Sequence, residues 1–179
     1  MQRTETFQHS TLPAGFAWYN EPARYKLGDG LEIWADAETD FWQRTFYDFR
    51  RDDGHCLLIP LEGDFSISTW VEYRPQTQYD QCGLMIRVDA ENWIKLSTEY
   101  ETETYSRLGS VVTNLGFSDW ATQDVPSTRT AIGYRISRRG PDFRLAYSHD
   151  GQAWVQMRVT HLHRASDPLQ VGVYACSPI

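Results

Sequence analysis

The chain has 179 residues, of which 41% are hydrophobic and 23% charged, and a formal net charge of -7. That length suits one domain spanning residues 1–179, with a core large enough to need no disulfide staples. The composition excludes a disordered chain, no apolar run is long enough for a membrane span, and the acidic balance speaks against nucleic-acid and membrane partners.

The first residues, MQRTETFQHSTLPAGF, lack the apolar segment of a secretory signal. The three cysteines, Cys56, Cys82 and Cys176, are scattered and form no C-x-x-C pair. Together these features predict reduced thiols, no metal and a cytoplasmic location. Short segments rich in β-branched and aromatic residues then follow one another. Strands are predicted over 24–27 and 31–35, joined by the turn Gly28-Asp29-Gly30, and over 56–61 and 65–73 after Asp52-Asp53-Gly54. They continue over 82–88, 93–101 and 110–115. Residues 116–128 contain Pro126 and few strand formers, and are predicted to form a long loop over one edge or face. Strands resume over 130–138, 143–148, 154–159 and 170–176, with turns at Arg139-Gly140-Pro141 and Asp150-Gly151. Many short strands with no amphipathic helix between them specify an all-β sandwich or barrel.

Alternation sorts the side chains by face. Over 65–73, Phe65, Ile67, Thr69, Val71 and Tyr73 oppose Ser66, Ser68, Trp70 and Glu72. Over 82–89, Cys82, Leu84, Ile86 and Val88 oppose Gly83, Met85, Arg87 and Asp89. Over 93–101, Ile94, Leu96, Thr98 and Tyr100 oppose Trp93, Lys95, Ser97, Glu99 and Glu101. Each strand has one core face and one mixed face. Trp70, Met85 and Trp93 are more apolar surface than a solvated face needs, which points to a concave binding face or, alternatively, an outer face with extra packing.

Asp80, Gln81, Arg87, Lys95 and Glu99, with Trp70 or Trp93 as a stacking plate, suit a sugar or sugar acid. Asp119 and Trp120 would overhang this face from the 116–128 loop. The competing reading is a structural charge network in which Lys95 and Glu99 neutralise one another. His55 is a candidate general base, or a structural histidine at a strand start. His161 and His163 share one face but lack a third ligand. No G-x-G-x-x-G, P-loop or G-x-S-x-G occurs, so no cofactor is expected.

The stretches Tyr79-Asp80-Gln81-Cys82-Gly83-Leu84-Met85-Ile86-Arg87 and Trp93-Ile94-Lys95-Leu96-Ser97-Thr98-Glu99 carry a resemblance. They are similar to a bacterial and fungal family that includes the fungal "regulation of enolase" protein. That family lies within the concanavalin A-like lectin/glucanase superfamily. Thr39-Asp40-Phe41-Trp42, Gly63-Asp64-Phe65 and Ser118-Asp119-Trp120 extend the resemblance, as does Ser148-His149-Asp150-Gly151 with Trp154 and Arg158. The resemblance implies a concanavalin A-like jelly-roll β-sandwich of two antiparallel sheets, one concave. Ser97 stands where the family pattern has glycine. The hydrolytic members of the superfamily carry E-x-D-x-E, and the nearest match here is Glu99-Tyr100-Glu101-Thr102-Glu103.

Three functions follow as expectations. The first is a lectin-like domain binding a small-molecule or oligosaccharide ligand on the concave face without metal. The second is an enzyme acting on a small glycoside or sugar derivative, with Asp80, Glu99 or His55 as acid–base groups. The third is an intracellular regulatory or protein-interaction module. The sequence leaves the oligomeric state open.

Overall fold

The structure is a computed structural model and describes residues 2–179. It contains strands and no helix among those residues, so no helix is long and apolar enough to cross a membrane. The early strands are β1 (Ala17–Tyr19), β2 (Arg24–Leu27), β3 (Leu31–Trp34), β4 (Phe41–Gln43) and β5 (Arg50–Asp52). The middle ones are β6 (His55–Leu61), β7 (Phe65–Glu72), β8 (Gln81–Asp89), β9 (Asn92–Tyr100) and β10 (Tyr105–Asn114). The last are β11 (Phe117–Pro126), β12 (Ala131–Arg139), β13 (Asp142–Ser148), β14 (Val155–His161) and β15 (Leu169–Cys176).

They form an antiparallel jelly-roll sandwich. A seven-stranded sheet has the order β1-β6-β15-β8-β9-β10-β11, and a four-stranded sheet the order β14-β13-β12-β7. The hairpins β2-β3 and β4-β5 stand apart from both sheets. Leu84, Ile86, Ile94, Leu96, Leu108 and Val112 from the larger sheet meet Ile132, Tyr134, Ile136, Phe143 and Leu145 from the smaller. Leu84, Ile86, Ile94 and Leu96 are the residues that alternation assigns to the core face of β8 and β9. Strands β8 and β9 pair antiparallel around the turn at Asp89–Asn92. Close backbone approach on this sheet requires glycine: a Cβ on Gly83 would stand 1.9 Å from the Leu96 carbonyl oxygen, and one on Gly172 1.9 Å from that of Leu57.

Two expectations need correction. Residues 116–128 are not a loop, because most of them form β11, paired with β10 from Asn114↔Phe117 to Tyr105↔Pro126. This is an edge strand whose residues are mostly exposed, so it carries no apolar alternation to read. Strands β1, β4 and β5 were not expected either; three residues apiece is too short for a periodic signal.

The three thiols are unpaired; Cys56 and Cys176 are buried, and Cys82 is partly so. Burial pushes the Cys56 thiol well above its ordinary range, and Cys82 up to about 12. Neither supplies a reactive thiolate at neutral pH.

Candidate functional site

The mixed faces of β8 and β9 lie on the side of the larger sheet away from the main core, but they are not left open. Residues 36–54, including the β4-β5 hairpin, fold back across this side. Phe41, fully buried, packs edge-on to Trp93 and Tyr174, with ring centroids 6.0 and 6.1 Å away. Trp42, Cys56, Met85, Val111 and Cys176 complete a second apolar cluster beneath the hairpin. At its far end, the Gln43 amide donates to the Ser118 hydroxyl on β11 at 2.9 Å.

This cover decides the fate of the expected site residues. Arg87 forms a two-pronged pair with Asp52, both contacts at 2.8 Å, and donates to the Tyr19 hydroxyl at 2.9 Å. It therefore clamps β5 and β1 to the sheet. Tyr19 in turn is pushed up to about 12, first by burial and then by its hydrogen bond to Asp52. Trp93 is fully buried beside Phe41 and offers no stacking plate. Lys95 is 3% exposed, and its ammonium meets the Phe41 carbonyl at 3.0 Å, Gln81 Oε1 at 2.8 Å and Asp40 Oδ1 at 3.4 Å. Burial works against the Lys95 charge, but Asp40 leads the attractions that outweigh it and hold its pKa above the ordinary lysine value.

Gln81 extends this network. Its oxygen also accepts from the Tyr174 hydroxyl at 3.1 Å, and its amide donates to Glu99 Oε2 at 2.9 Å. Gln81, Lys95 and Glu99 are thus brought together, and Glu99 is the one of the three that reaches solvent. Burial pushes the Glu99 carboxyl up to about 7. Lys95 and Arg107 oppose that rise, while the Asp40 and Glu101 charges add to it.

Three expected residues stand elsewhere. Asp80 caps its own turn: its carboxylate accepts the Gln76 and Thr77 amides at 2.6 and 2.9 Å and the Ser177 hydroxyl at 2.6 Å. His55 is 3% exposed, accepting the Asp36 amide at Nε2 and donating from Nδ1 to the Asn20 carbonyl. Trp70 is on the outer face of the four-stranded sheet, because β7 belongs to that sheet. Alternation names the face of a strand but not the sheet the strand joins.

Asp119 and Trp120 do border an opening, although from a strand and not a loop. Trp120 packs edge-on to Trp42 at 6.5 Å, and Trp42 to Tyr47 at 5.3 Å. The Trp42 indole N–H donates to the Thr45 carbonyl at 3.1 Å, which fixes its ring plane. Trp42, Thr45, Phe46, Tyr47, Ser118, Asp119 and Trp120 line an open cleft of about 350 Å³. Asp119 pairs with Arg158 at 2.9 Å, and the Arg107 guanidinium, paired with Glu101, lies 5.7 Å from the Trp120 ring.

The wall made by residues 44–49 is strained. Arg44, Phe46 and Asp48 have φ values of 57°, 64° and 59°. Left-handed backbone at such positions costs about 1 kcal/mol or more each. The strained loop holds Phe46 93% exposed at the rim of the cleft. Sequence reasoning missed Trp42, Thr45 and Tyr47; the available signal was four aromatics, Trp42, Phe46, Tyr47 and Phe49, within eight residues. Among the described residues, no group of three or more His, Cys, Asp or Glu is placed to hold a metal ion.

Comparison with known proteins places these features in context. The family model described as "Protein of unknown function (DUF1349)" matches residues 18–179. Regulation of enolase protein 1 of Saccharomyces cerevisiae is 32% identical over 162 residues, which are 90% of this chain and 80% of that protein. The crystal structure of a functionally unknown protein from Saccharomyces cerevisiae matches with a TM-score of 0.85 and 31% identity, covering 92% of this chain and 88% of that one. The GH43 BlXynB protein from Bacillus licheniformis matches with a TM-score of 0.74 and 16% identity, over 96% of this chain and 35% of that one. At that identity the likeness is one of fold.

Proposed function

Because the chain belongs to the DUF1349 family and has a sandwich fold found in GH43 proteins, we propose that it binds a neutral oligosaccharide, without metal, in the Trp42–Tyr47–Trp120 cleft. The observation that carries this reading is the cleft itself. Indole and phenol rings offer apolar plates to the C–H faces of a pyranose, and Asp119 and Thr45 offer polar atoms to its hydroxyls. The charges nearby, Asp119 with Arg158 and Glu101 with Arg107, are already paired, which favours a neutral sugar over a sugar acid here. In this reading Gln81 and Lys95 hold the β4 strand, and with it the Trp42 wall of the cleft, in position. Three unpaired thiols support the cytoplasm as its location.

Trp120→Ala is the direct test. Titration with xylo- and cello-oligosaccharides, followed by tryptophan fluorescence, is expected to show affinity reduced about tenfold or more, the scale of one lost stacking contact. The melting temperature should change by only a few degrees, because Trp120 is half-buried at an edge strand. Equal affinity in the variant would end the cleft hypothesis.

One observation favours a second reading, an acid–base enzyme acting on a glycoside. Glu99 combines access to solvent with a carboxyl pushed up to about 7, which suits a general acid at neutral pH. Hydrolysis of a chromogenic glycoside panel that disappears in Glu99→Gln would support it; no turnover on the panel would leave binding as the function.

A further inference from the structure

The outer face of the four-stranded sheet carries a second aromatic surface, remote from the side that the β4-β5 hairpin covers. Trp70, Gly133 and Ser148 lie opposite one another across β7, β12 and β13. Trp154, just before β14, closes on the same row. A Cβ on Gly133 would stand 3.1 Å from Trp154 Cη2 and 3.4 Å from Trp70 Cε3. The absent side chain therefore lets two indoles meet over the strand from opposite sides. Trp70 is 47% exposed, and Gly151, in the turn that follows β13, packs against its edge. Much of the surrounding face is small: Ser66, Ser68, Ser137 and Ala146.

Arg135 is two residues along β12 from Gly133, so it points to the same side. Its guanidinium carbon stands 3.7 Å from the Trp154 ring centroid. Neither Arg135 nor its exposed neighbour Arg144, opposite Ser137, joins an ion pair among the described residues. In a chain of net charge -7, two arginines outside any ion pair, beside an exposed and a half-buried tryptophan, outnumber Glu72, the carboxylate that β7 adds to this face.

We propose that this face is a separate binding site for an acidic oligosaccharide, a chain of sugars carrying carboxylates. The indoles would stack on pyranose faces, and Arg135 would take a carboxylate through its paired N–H donors. A neutral sugar would leave the guanidinium unused. An inorganic anion would leave the tryptophans unused. A single-stranded nucleic acid also stacks on tryptophan, but the overall acidity of the chain opposes it. The site does not depend on the Trp42–Tyr47–Trp120 cleft, and its test separates the two.

Tetragalacturonate is titrated into the full chain, with cellotetraose and a thymidine tetranucleotide as comparisons. Tetragalacturonate is expected to bind, with an affinity that weakens as salt is raised. Trp70→Ala and Arg135→Gln should each reduce that affinity about tenfold, whereas Trp120→Ala should leave it unchanged. Folding of each variant is read from its melting curve, and Trp70 is exposed enough for its replacement to be tolerated. No binding of tetragalacturonate at millimolar concentration overturns the proposal. So does binding indifferent to Trp70→Ala and Arg135→Gln, binding lost in Trp120→Ala, or tighter binding of the thymidine oligonucleotide at the same residues.

Discussion

Lys95→Met is expected to lower the stability of the fold by about 3–5 kcal/mol, the usual consequence of removing one partner from a buried charge pair. The reason lies in what the ammonium leaves behind. Asp40, the Phe41 carbonyl and Gln81 Oε1 converge on it, and Lys95 itself is 3% exposed. Methionine fills much of the volume but donates nothing, so a carboxylate and two oxygens lose their partner in a region water barely reaches. In a domain of this size the melting temperature should fall by about 6–20 °C. The β4-β5 hairpin should loosen first, since Lys95 ties the Phe41 backbone to the sheet. Hydrogen exchange at Phe41–Gln43 would report that loosening. If Lys95 were instead a ligand group, sugar affinity would fall while the melting temperature held, and that result would sink the clamp assignment.

Glu99→Gln should act in the opposite direction, and only above acidic pH. The Glu99 carboxyl moves from an ordinary value of 4.5 to about 7 on folding, chiefly through burial. Between those values the native protein holds a proton that the unfolded chain has released. Stability from this group is therefore full below pH 4.5 and is lost as pH rises through 7. Glutamine cannot ionise and keeps an oxygen to accept the Gln81 amide. The variant should match the parent near pH 4.5 and exceed it by about 1–3 kcal/mol at pH 8, less whatever attraction from Lys95 is lost. That corresponds to a gain of roughly 2–12 °C. Melting curves from pH 4.5 to 8 check it; a gap that stays flat or widens toward acid would show that Glu99 is not a carboxyl raised by burial.

Much of this protein is set by local pattern. Phe65, Ile67, Leu84, Ile86, Ile94, Leu96, Ile132 and Ile136 alternate with the residues of the opposite faces, and a two-residue period brings each set of apolar side chains to one side. The sandwich, the β8-β9 pairing and the split between core and mixed faces follow from that. Gln81, Lys95 and Glu99 came together for the same reason, being on one side of two adjacent strands.

What covers the mixed face was decided only in three dimensions. Phe41 and Asp52 are 52 and 35 residues from Trp93 and Arg87 as read from the sequence numbering, and no period links segments so far apart. Their meeting depends on the β4-β5 hairpin crossing the sheet, which turns Arg87, Trp93 and Lys95 from an open binding wall into a second core. Trp70 and Trp93 look alike in alternation but belong to different sheets, because pairing partners are chosen by the whole topology. Strand β11 was hidden for a related reason: an edge strand held by backbone hydrogen bonds to β10 needs no apolar face of its own. Local pattern specifies the fold class and which side of each central strand faces the core. The tertiary structure decided which mixed surfaces remain open, because that depends on long-range packing of short segments whose own pattern is too brief to read.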